Sequence, residues 1–331
     1  MSNSSVAYLI QAHNDPALLS RLIRMLGGEG ADFYVHVDAK SDIASFAPLV
    51  GLPRVTFLRD REHVFWGGFS QVSATLRLLR AAVPGNYGRY SLLSGCDLPI
   101  KHASAIRDTL LGSNTEFMRV ERRLDERPRN GHAFYVERHH LNDWELFNPR
   151  VARRYRERRR GTPWFWNVAQ TAAHAMARAG FVAVSTALPR RRYVNGMIPY
   201  QGSSWWSLTA GCVNYVLDFL SRTPEYTRFH RSAGMVDEVF FHSIVKASPF
   251  AARISHDFEV SPLTHNESGA HYIDWRTKGV PLPKTLDETD FQALAASPAL
   301  FARKFDSDKS SRLIALIEER LCQPDGARAV R

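Results

Sequence analysis

Two neighbouring cations stand near the end of the sequence, in the stretch LFARKFDSD at 300–308. Arg303 and Lys304 lie between two phenylalanines, with acidic residues just beyond them. Such a pair is often no more than solvated charge on a surface turn. It also suits phosphate binding, because arginine can grip two phosphate oxygens at once while lysine supplies a point charge.

An acidic pair opens an apolar stretch earlier in the chain. Asp237 and Glu238 begin the helix that the pattern predicts over 236–250. Acids in a first helical turn are commonly caps that the helix dipole favours. A glutamate in this place is also a candidate general base at the rim of a cleft. Phe240 and Phe241, which follow closely, would remove water from such a carboxylate and raise its pKa.

Further candidates follow predicted strands. Asp38 ends the strand in DFYVHVD, Asp97 follows the strand in YSLLSG, and Trp66 precedes Gly67 and Gly68. Each has an ordinary explanation, which is a turn for either aspartate and core packing for the tryptophan. As binding residues, Asp38 would hold a nucleotide and Asp97 would accept hydrogen bonds from sugar hydroxyls. The indole would form a flat platform beside a loop that a ligand can approach closely.

Two adjacent tryptophans, Trp205 and Trp206 in GSSWWSLT, pose the same choice between core packing and stacking on a sugar ring.

The sequence has no Walker A, G-x-G-x-x-G, H-E-x-x-H or G-x-S-x-G pattern. This absence argues against a P-loop NTPase, a dinucleotide-dependent oxidoreductase and an α/β-hydrolase. The acid that follows Asp38 is Asp42, four positions on, which is poor spacing for joint coordination of a divalent cation.

Alternating strand and helix patterns between residues 6 and 112 must position these side chains. Strands are predicted at 6–13, 32–38, 55–58 and 90–95, and helices at 15–28 and 70–83. Such alternation predicts a mostly parallel sheet with right-handed crossovers. Ligands of these sheets collect at the carboxyl ends of the strands, where the candidates of the N-terminal half lie.

The C-terminal part of the chain has fewer alternating units. A strand running into a helix is predicted over 202–220, a short strand at 270–275, and a closing amphipathic helix at 310–321. Residues 113–200 differ from the rest, since arginine clusters flank a helix rich in aromatic and small residues. Three interpretations stay open for that helix: a surface helix of the same domain, an interfacial helix on an anionic membrane, or a nucleic-acid contact. Its polar residues make a transmembrane span a poor explanation.

Length, charge and cysteine content limit the classes of protein. The 331 residues carry a formal net charge of +10 and three cysteines. The length predicts a full core, and three scattered cysteines favour a reducing compartment over a disulfide framework. The segment MSNSSVAYLIQAHND has no basic and apolar export pattern, so we expect a cytoplasmic protein. The positive charge indicates a polyanionic partner, whether a nucleic acid, an anionic membrane or a phosphorylated ligand.

Six stretches together resemble the core-2/I-branching glycosyltransferase family, which contains β-1,6-N-acetylglucosaminyltransferases and peptide O-xylosyltransferases. They are HVDAKSD, VFWGGFSQVSATLRLL, YSLLSGCDLPIK, GSSWWSLT, DEVFFHSIV and FARKFD, and they cover approximately residues 30–112 and 200–308. The resemblance implies a GT-A-like α/β fold with a mostly parallel twisted sheet flanked by helices. We expect one domain over 1–331 that contains residues 113–200 as an Arg-rich helical insertion.

The resemblance also implies an activity and roles for individual residues. It implies an inverting transfer of GlcNAc or xylose from UDP-GlcNAc or UDP-xylose, without a metal or other cofactor. Glu238 would be the catalytic base, and Arg303 with Lys304 would clamp the diphosphate. On the donor side would lie Asp38, Trp66, Gly67 and Asp97, and on the acceptor side Trp205 and Trp206.

The partners are less narrowly implied. The acceptor is expected to be a glycan, a lipid-linked precursor or a peptide. Peripheral contact with the inner face of an anionic membrane is expected from the Arg-flanked helix, and nucleic acid is not expected as a partner. The competing hypothesis, which rests on the charge of +10, is a non-enzymatic protein that binds an anionic polysaccharide or a nucleic acid.

Overall fold

A computed structural model describes residues 4–125, 131–145, 147–148 and 164–323. Within these residues the strands form one eight-stranded and one four-stranded sheet. The strands of the larger sheet are β1 (Val6–Ala12), β2 (Ala31–Val37), β3 (Val55–Phe57), β4 (Arg89–Ser94), β6 (Glu116–Arg123), β7 (Tyr200–Gly202), β8 (Ser207–Thr209) and β9 (Ile254–Asp257). Those of the smaller sheet are β5 (Leu98–Pro99), β10 (Glu267–Ser268), β11 (His271–Ile273) and β12 (Phe301–Arg303).

The α-helices of the described residues cover both faces of the larger sheet and its ends. They are α1 (Pro16–Leu26), α2 (Phe69–Ala82), α3 (Ala103–Leu111), α4 (Phe134–Glu137), α5 (Trp164–Ala187), α6 (Ala210–Arg222), α7 (Pro224–His230), α8 (Phe240–Lys246), α9 (Phe291–Ala296) and α10 (Ser311–Arg320). Short 3-10 turns join several of them, among them Val236–Glu238 directly before α8.

The larger sheet runs in the order β3-β2-β1-β4-β8-β6-β7, and β9 pairs with β6. Its first four strands are mutually parallel, as are β6 and β9. The pairs that β8 makes with β4 and β6, and that β7 makes with β6, are antiparallel. The predicted α/β class with a mostly parallel central sheet flanked by helices is therefore confirmed.

Alternation along β1 explains why helices cover both faces of this sheet. Val6, Tyr8 and Ile10 point into a core that α1 closes with its buried leucines. Ala7 and Leu9 point the other way, into a second core that includes residues of α2. Because successive side chains of a strand face opposite sides, an apolar run buried on both faces is what a central parallel strand requires.

The N-terminus of α1 is tied to the segment that follows the cation pair. Asp15 is the N-cap of α1, and its side chain accepts a hydrogen bond from the Leu18 amide at 3.0 Å. The same carboxylate accepts from the Ser307 amide at 3.0 Å and from the Ser307 hydroxyl at 2.6 Å. The first crossover of the large sheet and the end of β12 are thereby held together.

The predicted insertion at 113–200 begins inside the sheet. Strand β6 occupies Glu116–Arg123 and pairs with β7, β8 and β9. This part of the segment is therefore a strand that completes the sheet and is not helical, and the insertion as a unit stays a prediction. The arginine cluster at 153–160 lies outside the described residues, and the single domain over 1–331 stays a prediction.

Helix α5 forms the long helical part of that segment. Its C-terminal end is capped by Arg138, whose guanidinium donates to the carbonyls of Ser185, Thr186 and Leu188. Among the described residues, no helix is long and apolar enough to cross a membrane.

Candidate active site

A cleft of about 920 Å³ lies at the carboxyl end of the central strands. Its walls bring together five of the side chains singled out in the sequence: Trp66, Trp205, Glu238, Arg303 and Lys304. A neighbouring cavity of about 250 Å³ shares Trp66, Trp205 and Arg303 with the cleft and adds Asp38. Residues separated by more than 260 positions in the chain therefore meet in one continuous space.

Glu238 lies at one wall of this cleft, at the end of the 3-10 turn Val236–Glu238. Its Oε2 atom accepts a hydrogen bond from the Gln201 side chain at 2.7 Å. Burial raises the pKa of the Glu238 carboxyl to about 8, and the negative charge of Asp237 adds to the rise, whereas the bond from Gln201 opposes it. A carboxyl with such a pKa exchanges a proton near neutrality, as a general base must.

The local structure around Glu238 differs from the sequence prediction in two ways. The predicted helix over 236–250 is interrupted at Val239, whose φ of −120° separates the 3-10 turn from α8. Phe240 and Phe241 are buried in the second core and do not line the cleft. The pKa shift has the expected direction, but these two rings do not form the expected apolar wall.

Arg303 is held from two sides at another wall. Its Nε lies 3.1 Å from Oδ1 of Asp97, and its guanidinium lies over the Trp205 ring, 4.2 Å from the centroid. An ion pair and a cation–π contact together restrict the rotamers of a long side chain. The guanidinium is thus oriented before any ligand binds.

Asp97 is placed differently from the prediction. Its side chain is fully buried and does not line the cleft. One carboxylate oxygen pairs with Arg303, and the other accepts from the Ser94 amide at 2.8 Å and lies 3.2 Å from Nε2 of His271. The structure therefore shows this carboxylate in contact with Arg303, and a direct contact with donor sugar hydroxyls stays a prediction. Asp97 is a positioning residue for Arg303.

The two adjacent tryptophans have different environments. Trp205 is in contact with Arg303 and lines both cavities. Trp206 is fully buried, with its ring 5.3 Å from that of Phe241. The two rings lie on opposite sides because successive side chains of an extended segment alternate, so the structure places Trp206 in the core and not in the lining of the cleft.

The segment after Lys304 contains a D-x-D pair, Asp306 and Asp308. Asp306 lines the cleft, but its carboxylate accepts from the backbone amides of Asp308 and Lys309, at 3.1 and 3.0 Å. Asp308 is exposed and does not line the cleft. The pair therefore builds the turn that precedes α10, and its two carboxylates are not directed at one point in the cleft.

The described ranges contain no group of three or more His, Cys, Asp or Glu side chains that could hold a metal ion.

The loop that carries Trp66 is fixed by residues of the 142–148 stretch. The side chains of Asn142 and Asn148 donate to the carbonyls of Gly67 and Trp66, at 2.9 and 3.2 Å. Asp143 caps the N-terminus of α2 by accepting from the Phe69 amide at 2.9 Å. At Gly67, a φ of +69° and the close approach of Met235 both favour a residue without a side chain. Gly67 thus shapes the loop and does not itself line the cleft.

Asp38 ends β2 at the smaller cavity, and its carboxylate pairs with Lys40 at 2.8 Å. The neighbouring His36 ring accepts a hydrogen bond from the Glu62 amide at 2.8 Å, and burial lowers the pKa of its imidazole to about 4. A neutral imidazole and an ion-paired carboxylate make the Asp38 end of this cavity, away from Arg303, polar without strong net charge. It suits a neutral heterocycle or a ribose better than a phosphate.

Several residues of the cleft carried no signal in the sequence. Gln201 holds Glu238 from β7, and the wall beside it contains the ion-paired group Arg119, Glu121 and Arg122. Glu121 accepts from both arginines, at 2.8 and 3.3 Å. The alternation of polar residues in MRVERR is a weak signal for a strand here, because alternate residues of a half-buried strand share a face.

A model of the Core-2/I-branching enzyme family matches residues 6–295. The chain belongs to this family. The resemblance to this family is therefore confirmed. The matched residues contain five of the six stretches and extend across the segment 113–200, whereas FARKFD, which holds Arg303 and Lys304, lies beyond them.

One relative with a curated description is the bovine (Bos taurus) beta-1,3-galactosyl-O-glycosyl-glycoprotein beta-1,6-N-acetylglucosaminyltransferase. It is 32% identical over 102 residues, which make up 29% of this chain and 24% of the relative. The match thus spans about a quarter of the relative's length.

Proposed function

We propose that this core-2/I-branching family member is an inverting glycosyltransferase that moves GlcNAc or xylose from a UDP-sugar to an acceptor hydroxyl. The observation that carries the proposal is the cleft itself, whose lining includes both Glu238 and the pair Arg303 and Lys304. The named activity of the bovine relative favours GlcNAc over xylose. The acceptor would be a glycan, a lipid-linked precursor or a peptide, and a cytoplasmic location stays a prediction.

The chemistry proposed is a single displacement at the anomeric carbon. Glu238 removes the proton of the acceptor hydroxyl while that oxygen attacks, and UDP departs from the opposite face of the sugar. The base and the leaving group must lie on opposite sides of the ring, as in the inverting hydrolysis of glycosides. Gln201 orients the carboxylate through its bond to Oε2.

The leaving group needs positive charge as the bond breaks. Negative charge grows on the terminal phosphate of UDP, and preoriented donors stabilise it most strongly because they need not reorganise. Arg303 meets this requirement, since Asp97 and Trp205 hold its guanidinium in place. Lys304 adds a second positive charge on the same wall. The smaller cavity beside Asp38 would take the uridine.

The raised pKa of Glu238 predicts a specific pH profile. Below a pH of about 8 the carboxyl is largely protonated and cannot accept the proton of the acceptor hydroxyl. We expect kcat/KM to rise with pH until the carboxyl is ionised, and to level off above that point. Initial rates of UDP release at saturating donor, measured across this range, check the profile. A rate that is flat from pH 5 to 9 would contradict the assignment of the base.

Metal independence gives a second prediction. If Arg303 and Lys304 neutralise the diphosphate, transfer should retain at least roughly half of its rate in excess EDTA, because fixed cations replace the charge of a bound ion. The assay follows UDP release from UDP-GlcNAc and from UDP-xylose, before and after chelation. Loss of transfer in EDTA that Mn²⁺ restores would overturn the clamp and would direct attention to Asp306. Failure to release UDP from either donor would favour a binding protein over an enzyme.

A further inference from the structure

Helix α5 presents an apolar face to solvent. On it and just beyond its C-terminal end, Met176 is 69% exposed, Val184 58%, Val182 47% and Leu188 43%. The outward side at helical spacing consists of Ala173, Met176, Gly180, Val184 and Ala187, all of which are exposed. An exposed row of apolar side chains on a long helix marks an interaction surface.

The opposite side of α5 is packed against the body of the protein. Phe181 contacts Phe147 with ring centroids 5.3 Å apart, and Ser185 is 3% exposed. The Ser185 hydroxyl also donates to the carbonyl of His139 at 3.0 Å. Because this opposite side is already packed, the outward row is the side of α5 that faces solvent.

Charge identifies the partner that suits this face. The sequence of α5 contains no Asp or Glu over 164–187, and the exposed residues Arg190 and Arg192 follow it directly. Six arginines lie at 153–160, just before the helix in the chain. An apolar row with arginines beyond both ends, and with no acid between them, complements a layer of acyl chains under anionic headgroups.

We propose that α5 docks this protein on an anionic lipid surface, with Met176 and Val184 below the headgroups and Arg190 and Arg192 among them. The exposed indole of Trp144, on the segment that packs against α5, is a side chain typical of that boundary. Docking by a second copy is less favoured, because pairing two such helices would bring arginine clusters of the same sign together. A nucleic acid would match the arginines but not the apolar row.

The packed side of α5, opposite the docking row, borders a cavity beside the cleft. Phe181 and Val182 line a cavity of about 220 Å³ whose wall also includes Trp66 and Met235. If the proposed glycosyl transfer holds, docking would bring the cleft near acceptors carried in the same membrane. The lipid contact itself does not depend on that activity.

The test is co-flotation of the full chain with vesicles of phosphatidylcholine alone and of phosphatidylcholine mixed with phosphatidylglycerol. We expect binding to the anionic vesicles only, and binding that weakens with salt. Met176→Asp/Val184→Asp should weaken it about tenfold or more, because two charges replace apolar side chains in the interface. Arg192→Gln should weaken it about fivefold, the contribution of one arginine near an anionic surface.

Val260→Asp is the matched control, since Val260 is 79% exposed and lies in the turn after β9. It should bind vesicles like the unaltered chain. Unchanged thermal unfolding and UDP release in all three variants would show that folding and the cleft are intact. Equal binding to vesicles with and without phosphatidylglycerol would overturn the proposal. Undiminished binding of the double variant to the anionic vesicles would overturn it as well. So would a dimer in solution that the double variant converts to a monomer without any vesicle binding.

Discussion

Replacing Glu238 by glutamine is expected to lower kcat by roughly 10²- to 10⁴-fold, the range in which a positioned general base contributes. Glutamine keeps the size of the side chain but cannot accept the proton of the acceptor hydroxyl. The bond from Gln201 can be kept by an amide oxygen, so the wall of the cleft should change little. UDP affinity, measured by calorimetry, should therefore stay close to that of the unaltered protein.

The matched control is Glu225→Gln, which makes the same chemical change on the surface helix α7. It should leave turnover unchanged. The Glu238→Gln variant should also lose the rise of rate with pH, which a merely structural role for the carboxylate would not predict. Turnover near that of the unaltered protein would remove Glu238 from the role of base.

Replacing Arg303 by glutamine is the second large effect that we expect. Loss of one preoriented donor to a developing anion lowers kcat by about 10²- to 10³-fold. The same variant leaves Asp97 buried without its charged partner, which carries a stability cost of its own. Thermal unfolding must therefore be measured beside turnover, so that the two effects are separated.

Two further variants sharpen this test of the clamp. Lys304→Ala should weaken UDP binding in calorimetry, because it removes a point charge from the same wall. Arg312→Gln alters an arginine whose side chain is 81% exposed and pairs with Glu288, so it serves as the control and should change neither quantity. Unaltered UDP affinity in Lys304→Ala together with unaltered turnover in Arg303→Gln would exclude the clamp.

The elements of the N-terminal half could be predicted closely from local pattern. Helix α1 begins after Asp15 with Pro16 in its first turn, as the capping signals indicated. Strands β1 and β2 agree with prediction to within about one residue, because continuous apolar runs bounded by turns are strong local signals. Strand β6 was not recognised, since its alternating arginines and glutamates look like surface charge until its neighbours are known.

The residues of the candidate site could be predicted less completely than the elements of the N-terminal half. Glu238 and the pair Arg303 and Lys304 could be selected from residue type and from the family resemblance. The burial of Asp97 and Trp206 could not be predicted, because a sequence does not say whether a polar or aromatic side chain faces a cleft or the core. Gln201 was missed altogether, since a single amide on a three-residue strand gives no periodic signal.

By itself, the sequence determined the α/β class, the family and the residue types available for chemistry, because these follow from local periodicity and from motifs contiguous in the chain. Only the tertiary structure decided which of those residues meet. The cleft is built where β7, β12 and the Trp66 loop converge, across separations that no local pattern encodes. Burial decided the rest: it raised the pKa of Glu238, enclosed Asp97 behind Arg303 and removed Trp206 from the cleft.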